Sequence, residues 1–274
     1  MTRILSRLPL ISLTLLAFSL PFELDKPLWH IGPLTVTNVE VLLGLTLLTT
    51  AVNLLYTRTR PRLPDRYWLW LLPFGLALLL AAILAPTYQA NALKAALRLM
   101  SGVLLALAAL QIVRRQRDGY LVAVGLLAGG LIAAGIGMWE SYRYQELAWL
   151  SLFRVKVTVA GQYIRLTGPF DYTNQAAMFI EASLPFLLAL AWVVSYGAAY
   201  GKLTGRRRWL LLACLGLLTA FYVQASVLTF SRASFATIML VSLLLAGWLW
   251  WRAPSDWRAP SDWRAPSDWR APSD

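Results

Sequence analysis

The sequence predicts an all-α fold: a polytopic membrane bundle of about eight transmembrane helices, followed by a disordered tail. Three observations carry that expectation. Hydrophobic residues make up 58% of the 274-residue chain and charged residues 14%, where a soluble domain carries about 25% charged residues. Apolar runs long enough to cross a bilayer recur along residues 1–251. Basic residues gather in short clusters between those runs, so the net charge of +12 follows the positive-inside pattern rather than a nucleic-acid footprint. Nucleic acid drops out as a partner on that ground. One cysteine, Cys214, and one histidine, His30, leave no basis for a disulfide within the chain or for a metal site of the usual kind.

Arg3 and Arg7 precede the first apolar run, residues 8–22. No small-x-small cleavage site follows it and further spans do, so it reads as an uncleaved first helix with a cytoplasmic N-terminus. Residues 23–33, with Trp29 and His30, form a short outer loop, and the second span covers about residues 34–56. Glu40 falls in its first turns, where snorkelling or a hydrogen bond inside the bundle suits it better than a binding role. Arg58, Arg60, Arg62 and Arg66 make a basic inner loop.

The third span, about 67–85, opens on the aromatic belt Tyr67-Trp68-Leu69-Trp70. After an uncharged outer turn comes the fourth, about 92–113. It carries Lys94 and Arg98 four residues apart, on one helix face near the outer end. Arg114, Arg115 and Arg117 close it inside. The fifth span, about 120–138, holds Gly125, Gly129, Gly130, Gly135 and Gly137, which predicts close helix packing.

A long outer loop, 139–173, follows. Its middle alternates Val155, Val157 and Val159, as a short hairpin or extended stretch does. The sixth span, about 174–196, has Thr173 or Asn174 as its N-cap and Pro185 as a kink. Lys202 and Arg206, Arg207 and Arg208 form the third inner loop. Spans seven and eight cover about 209–227 and 233–251. The N-terminus and inner loops hold 13 Lys and Arg and the outer loops 6, which places both termini in the cytoplasm. Four copies of Trp-Arg-Ala-Pro-Ser-Asp fill residues 251–274. Each contains a proline and none has an apolar face, so residues 252–274 are expected to form a low-complexity tail outside the bundle of residues 1–251.

Three stretches, in their order and placement, resemble the O-antigen ligase/polymerase family of polytopic membrane proteins. Arg165-Leu-Thr-Gly168-Pro-Phe170-Asp-Tyr-Thr-Asn174, leading into a span, is similar to that family's Arg-x-x-Gly-x-Phe-x-x-x-Asn element. Leu228-Thr229-Phe-Ser231-Arg232-Ala233 resembles its Thr-x-Ser-Arg-Gly/Ala element. Gly32-Pro-Leu-Thr35-Val-Thr37 looks like the family's approach to the second span. The resemblance covers about residues 8–250.

It implies transfer of a glycan from an undecaprenyl-diphosphate carrier to an acceptor at the outer face of the inner membrane, with no metal, nucleotide sugar or other cofactor. Family members run on to further helices and a large outer loop with a proposed catalytic histidine. The repeats stand there instead, so the chain is expected to be truncated and to lack that half. A diphosphate needs bidentate cations and helix N-termini. Arg165 and Arg232 are the expected clamp, Asn174 and Ser231 the positioning donors, and Lys94 and Arg98 a source of added positive potential. Without the resemblance, the same residues suit a transporter or flippase-like protein for lipid-linked sugars, or an inactive membrane fragment.

Overall fold

The computed structural model describes residues 7–31, 34–62, 67–199 and 206–252. The hexapeptide tail from Ala253 onward, the Gly32-Pro33 pair, and Arg3, Arg66 and Lys202 lie outside those residues. Within them the chain forms eight α-helices: α1 (Leu8–Ser19), α2 (Asn38–Thr57), α3 (Tyr67–Ile83), α4 (Gln89–Ile112), α5 (Gln116–Arg143), α6 (Thr173–Ala199), α7 (Arg206–Leu228) and α8 (Arg232–Arg252). One helix stands at each expected span. Five of them, α2, α4, α5, α6 and α7, contain stretches long and apolar enough to cross a membrane. Their outward faces are apolar too: Leu48, Leu55 and Leu217 are each more than 60% exposed. A membrane-spanning helix presents a surface of this kind to hydrocarbon.

Two small hairpins complete the fold. β1 (Trp29–Ile31) pairs antiparallel with β2 (Leu34–Val36), and β3 (Val159–Ala160) with β4 (Tyr163–Ile164). The second is the hairpin expected from the alternating valines. Gly161, at φ +60°, supplies its turn. The first corrects the sequence reading, which began the second span at residue 34. Leu34–Val36 pair with Trp29–Ile31 instead, and α2 starts at Asn38. The start is set by a capping box, in which the Thr37 N–H donates to the Glu40 carboxylate at 2.7 Å.

Helix α1 packs between α2 and α5, α4 lies against α2 and α3, and α6 lies against α7 with α5 and α8 beside it. The glycines of α5 let this happen. A Cβ at Gly129 would stand 2.2 Å from the Phe18 carbonyl oxygen, so α1 and α5 meet backbone to backbone. One step round the helix, Gly130 makes room for Tyr222, whose hydroxyl donates to the Leu127 carbonyl at 2.9 Å. The buried core joins Ala134 and Met138 of α5, Ala176, Ile180, Leu184 and Leu187 of α6, Tyr222 and Ala225 of α7, and Leu166 from the long loop.

Successive helices run in opposite directions. Residues 23–37, 144–172 and the α7–α8 turn therefore collect at one end, here termed the loop end, where the Asp25 N–H donates to the Leu152 carbonyl at 3.0 Å. Residues 58–62 and the α4–α5 connection collect at the other, tied by reciprocal bonds of 2.7 and 2.6 Å between the Gln111 side chain and the Arg62 backbone. Helix α5 continues five residues past the expected end of its span, to Arg143. That carries Glu140 and Ser141 onto the same buried face as Gly137. Helix α6 begins differently from the expectation. The Tyr172 carbonyl accepts its first bond, from Ala176 N–H at 3.2 Å, so Thr173 and Asn174 stand inside the first turn rather than ahead of it. The helix runs on through Pro185.

Candidate functional site

A cavity of about 430 Å³ opens at the loop end. One wall is the end of α1 and the chain from there to the start of α2, with Glu23, Asp25, Thr35 and Thr37. A second is α4, with Lys94 and Arg98. The third is Pro169-Phe170-Asp171 and, just inside α6, Gln175. The sequence reading placed Lys94 and Arg98 on one helix face, and both line this cavity. Lys94 donates to the Thr35 hydroxyl at 2.5 Å, and no carboxylate lies within ion-pair distance of it among the described residues. Arg98 is shared between Glu23 at 2.8 Å and Glu40 at 3.4 Å. Much of its positive field is therefore already balanced, which weakens its expected contribution to anion binding.

Asp171 is the cavity group whose chemistry is most altered. Desolvation, the nearby Asp25 and, more weakly, Glu23 raise its pKa above the ordinary 3.8, against a backbone hydrogen bond from Val155 that lowers it. Its Oδ1 is buried without a hydrogen-bond partner. A carboxyl of this kind takes up a proton more readily than a free one, as a general base in a cleft requires. Asp171 was not among the expected site residues. Its position between Phe170 and Tyr172 in the 165–174 element was the one signal that pointed to it.

The other expected residues form a second group. Arg165 does not reach the cavity. Its Nε and Nη2 donate to the Thr229 carbonyl at 2.9 and 2.5 Å, and the Leu166 N–H donates to the Leu228 carbonyl at 2.9 Å. The structure thus brings the 165–174 and 228–232 elements together. The arginine meets backbone there, at the C-terminal end of α7. A guanidinium at that position also offsets the negative end of the helix dipole. Ser231 donates its N–H to the Thr229 hydroxyl at 3.2 Å, and Arg232 begins α8 exposed to solvent. Asn174 is exposed in the first turn of α6, next to the cavity residue Gln175.

What holds this element in place was not legible in the sequence. Arg154 and Glu140 form a bidentate ion pair at 2.9 and 2.6 Å with side chains 0% and 1% exposed. Arg154 also donates to the Gly168 carbonyl at 2.5 Å, and Glu140 accepts the Leu147 N–H at 3.0 Å. Gly168 can lie against the α5 backbone because it has no Cβ. At φ +58° a side chain would be strained, and its Cβ would come 2.7 Å from the Ala133 carbonyl oxygen. Leu166, Thr167 and Pro169 are buried, and Phe170 packs on Phe179 of α6 with ring centroids 5.6 Å apart. His30, in β1, and Glu181, on α6, do not line the cavity. No protein-family model, curated protein or solved structure matches the chain.

Proposed function

We propose that the chain acts in membrane glycan transfer of the ligase or polymerase kind, moving a glycan from an undecaprenyl-diphosphate carrier to an acceptor at the outer face of the inner membrane. The observation that carries this reading is the loop-end cavity, where Lys94 and Arg98 line the same space as a carboxyl of raised pKa on the 165–174 element. The resemblance of that element supplies the reaction class, and the cavity supplies groups the reaction needs. Lys94, with a hydroxyl as its partner and no carboxylate within ion-pair distance among the described residues, offers positive charge to the diphosphate. The acceptor hydroxyl oxygen forms a bond to the anomeric carbon, and the bond from that carbon to the diphosphate oxygen breaks with its electrons left on the diphosphate. The hydroxyl proton passes to Asp171, which in this reading fills the catalytic place that the sequence reading left to a histidine in the family's large outer loop.

In this reading the loop end faces outward. The basic ends of the helices then lie in the cytoplasm with both termini, in keeping with the positive-inside tendency. A transporter for lipid-linked sugars would need its polar site half-way along the bundle. The cavity here is built among helix ends and loops, which favours transfer over transport.

The test uses the purified chain in lipid nanodiscs, supplied with an undecaprenyl-diphosphate oligosaccharide and candidate glycan acceptors. The expected results are carrier binding and acceptor-dependent release of undecaprenyl diphosphate. Asp171→Asn should keep binding and slow transfer about 100-fold or more, the usual contribution of a positioned base. Absence of carrier binding refutes the reading. Binding without release refutes its transfer step, and unchanged transfer by Asp171→Asn refutes the assignment of the proton acceptor.

A further inference from the structure

Helix α1 is short for its place in the bundle. Its 12 residues and the 3-residue 3₁₀ turn after it, Leu20–Phe22, fall below the roughly 20 that cross a hydrocarbon core, while its neighbour α5 has 28. The two helices run side by side in one direction, with Gly125 of α5 against the Thr14 carbonyl and Gly129 against the Phe18 carbonyl. On that register Phe22 ends near the level of Ala133, and α5 goes on for roughly ten residues more, about 15 Å at 1.5 Å per residue. Residues 148–153 of the long loop stand over the end of α1. The Phe22 and Phe153 ring centroids are 6.0 Å apart, and Trp149 meets Phe153 edge to face at 6.1 Å. Both ends of this segment hang from one residue of α5, because the Leu147 N–H and the Arg154 guanidinium both donate to Glu140. Its depth is thereby fixed at the last turns of α5, where Trp139 and Tyr142 are exposed.

We infer that the 3₁₀ helix Ala148–Leu152 is a lipid anchor lying in the bilayer interface at the loop end, with Trp149 and Leu152 set among headgroups and upper acyl chains. Residues 147–153 read Leu-Ala-Trp-Leu-Ser-Leu-Phe, without a charge. Leu150 is 0% exposed and plugs the segment into the protein. Trp149 and Leu152, three apart and so on one side of a 3₁₀ helix, are 46% and 58% exposed. A tryptophan beside a leucine is costly to hold in water and suits the headgroup level, where the ring is apolar-solvated and the indole N–H finds a polar partner. The exposed Trp139 and Tyr142 of α5 put an aromatic belt at the same depth, which favours lipid over a second copy of the chain as the partner. Beside α1 the anchor makes up membrane thickness that the short helix lacks. Phe153, on which Trp149 rests, lines the loop-end cavity, so the anchor also sets the depth of that cavity against the headgroups. The inference requires the bundle to span a bilayer and is independent of the proposed reaction.

The test places an environment-sensitive fluorophore on single cysteines of the full chain in phosphatidylglycerol–phosphatidylethanolamine nanodiscs. Cys214 is exposed and is first replaced by serine. Leu152→Cys and Trp149→Cys carry the label on the anchor, and Gln162→Cys carries it on the exposed turn of the β3–β4 hairpin as the control. Lipid spin-labelled near the headgroup should quench the label at both anchor sites roughly twofold or more, as expected of side chains sunk into the headgroup and acyl boundary. It should leave the Gln162 site unchanged, and aqueous iodide should show the reverse order. Strong iodide quenching at both anchor sites without lipid quenching overturns the inference, because the helix then faces water. Shielding from both quenchers overturns it too and assigns the patch to a second copy of the chain. Equal lipid quenching at Gln162 overturns the assignment of the anchor to this segment.

Discussion

Removing either half of the buried Arg154–Glu140 pair should be among the most damaging single changes available at the loop end. Both side chains are essentially inaccessible and make two charge-assisted bonds to each other. Arg154→Met leaves a buried carboxylate whose remaining bond comes from Leu147 N–H, whereas Glu140→Leu leaves a buried guanidinium held by the Gly168 carbonyl with the half-exposed Glu146 carboxylate 3.8 Å away, so its loss should be the smaller of the two. An uncompensated buried charge costs about 3–5 kcal/mol. The double variant removes both charges and their desolvation, a change that is often neutral or stabilising by about 1–4 kcal/mol. Against that, it orphans the Gly168 carbonyl and the Leu147 N–H, at about 1–3 kcal/mol each. At the middle of these ranges the double variant loses roughly 1.5 kcal/mol relative to wild type, less than Arg154→Met alone. Reversible unfolding in mixed micelles, followed by tryptophan fluorescence, measures all three. Coupling of at least about 2 kcal/mol is expected. If the two single losses simply add to give the double, the pair does not organise this end of the fold.

Two further outcomes follow from the site. Arg165→Ala should cost about 1.5–3 kcal/mol, the range for a hydrogen bond to a charged group, because it strips the Thr229 carbonyl of its donor; Arg232→Ala, at an exposed position, should stay within about 0.5 kcal/mol of wild type. Melting of the two variants side by side separates a bracing role for Arg165 from the expected clamp role, in which carrier affinity would fall without loss of stability. Asp171→Asn should also change how stability depends on pH. A carboxyl with a raised pKa in the folded state favours folding most below its ordinary value of 3.8 and loses that contribution as pH rises through the higher folded value. The stability of Asp171→Asn relative to wild type should thus grow as pH rises from about 4 into the neutral range. A pH-independent difference in melting temperature would contradict the burial of this carboxyl.

The helices were legible because each is an apolar run bounded by basic residues or turns, and that pattern does not depend on tertiary contacts. The capping signal Thr37-x-x-Glu40 was also present in the sequence. Leu34 and Val36 ahead of it extend the apolar run and hide that boundary, and strands of three residues leave almost no periodic trace. The site was less legible for a different reason. Arg154 and Glu140 are fourteen residues apart and look like ordinary loop charges. Only the continuation of α5 past Met138, with Gly137, Glu140 and Ser141 on one buried face, shows that Glu140 points inward. Arg165 likewise carries no local sign that its partner is a carbonyl 64 residues away.

The way the 165–174 element is held bears on which of its groups remain available for chemistry. From α5 the Arg154–Glu140 pair grips Gly168, from the α7–α8 turn Thr229 takes the Arg165 guanidinium, and from α6 Phe179 supports Phe170. The second of these contacts uses up the Arg165 guanidinium, the one side chain among them that the sequence offers as a ligand. Arginine at the start of the element is therefore mainly a fastener. Groups left short of partners lie further along the chain and across the gap. Of the buried side-chain atoms without hydrogen-bond partners among the described residues, only Asp171 Oδ1 belongs to a residue lining the cavity. Opposite it on α4, Lys94 has a hydroxyl for company. A rigid frame with unmet polar groups on the cavity wall is what preorganised binding requires, because the cost of orienting those groups is met on folding rather than when a substrate arrives. This shifts the centre of the proposed site from the arginine pair to Asp171 and, across the cavity on α4, Lys94.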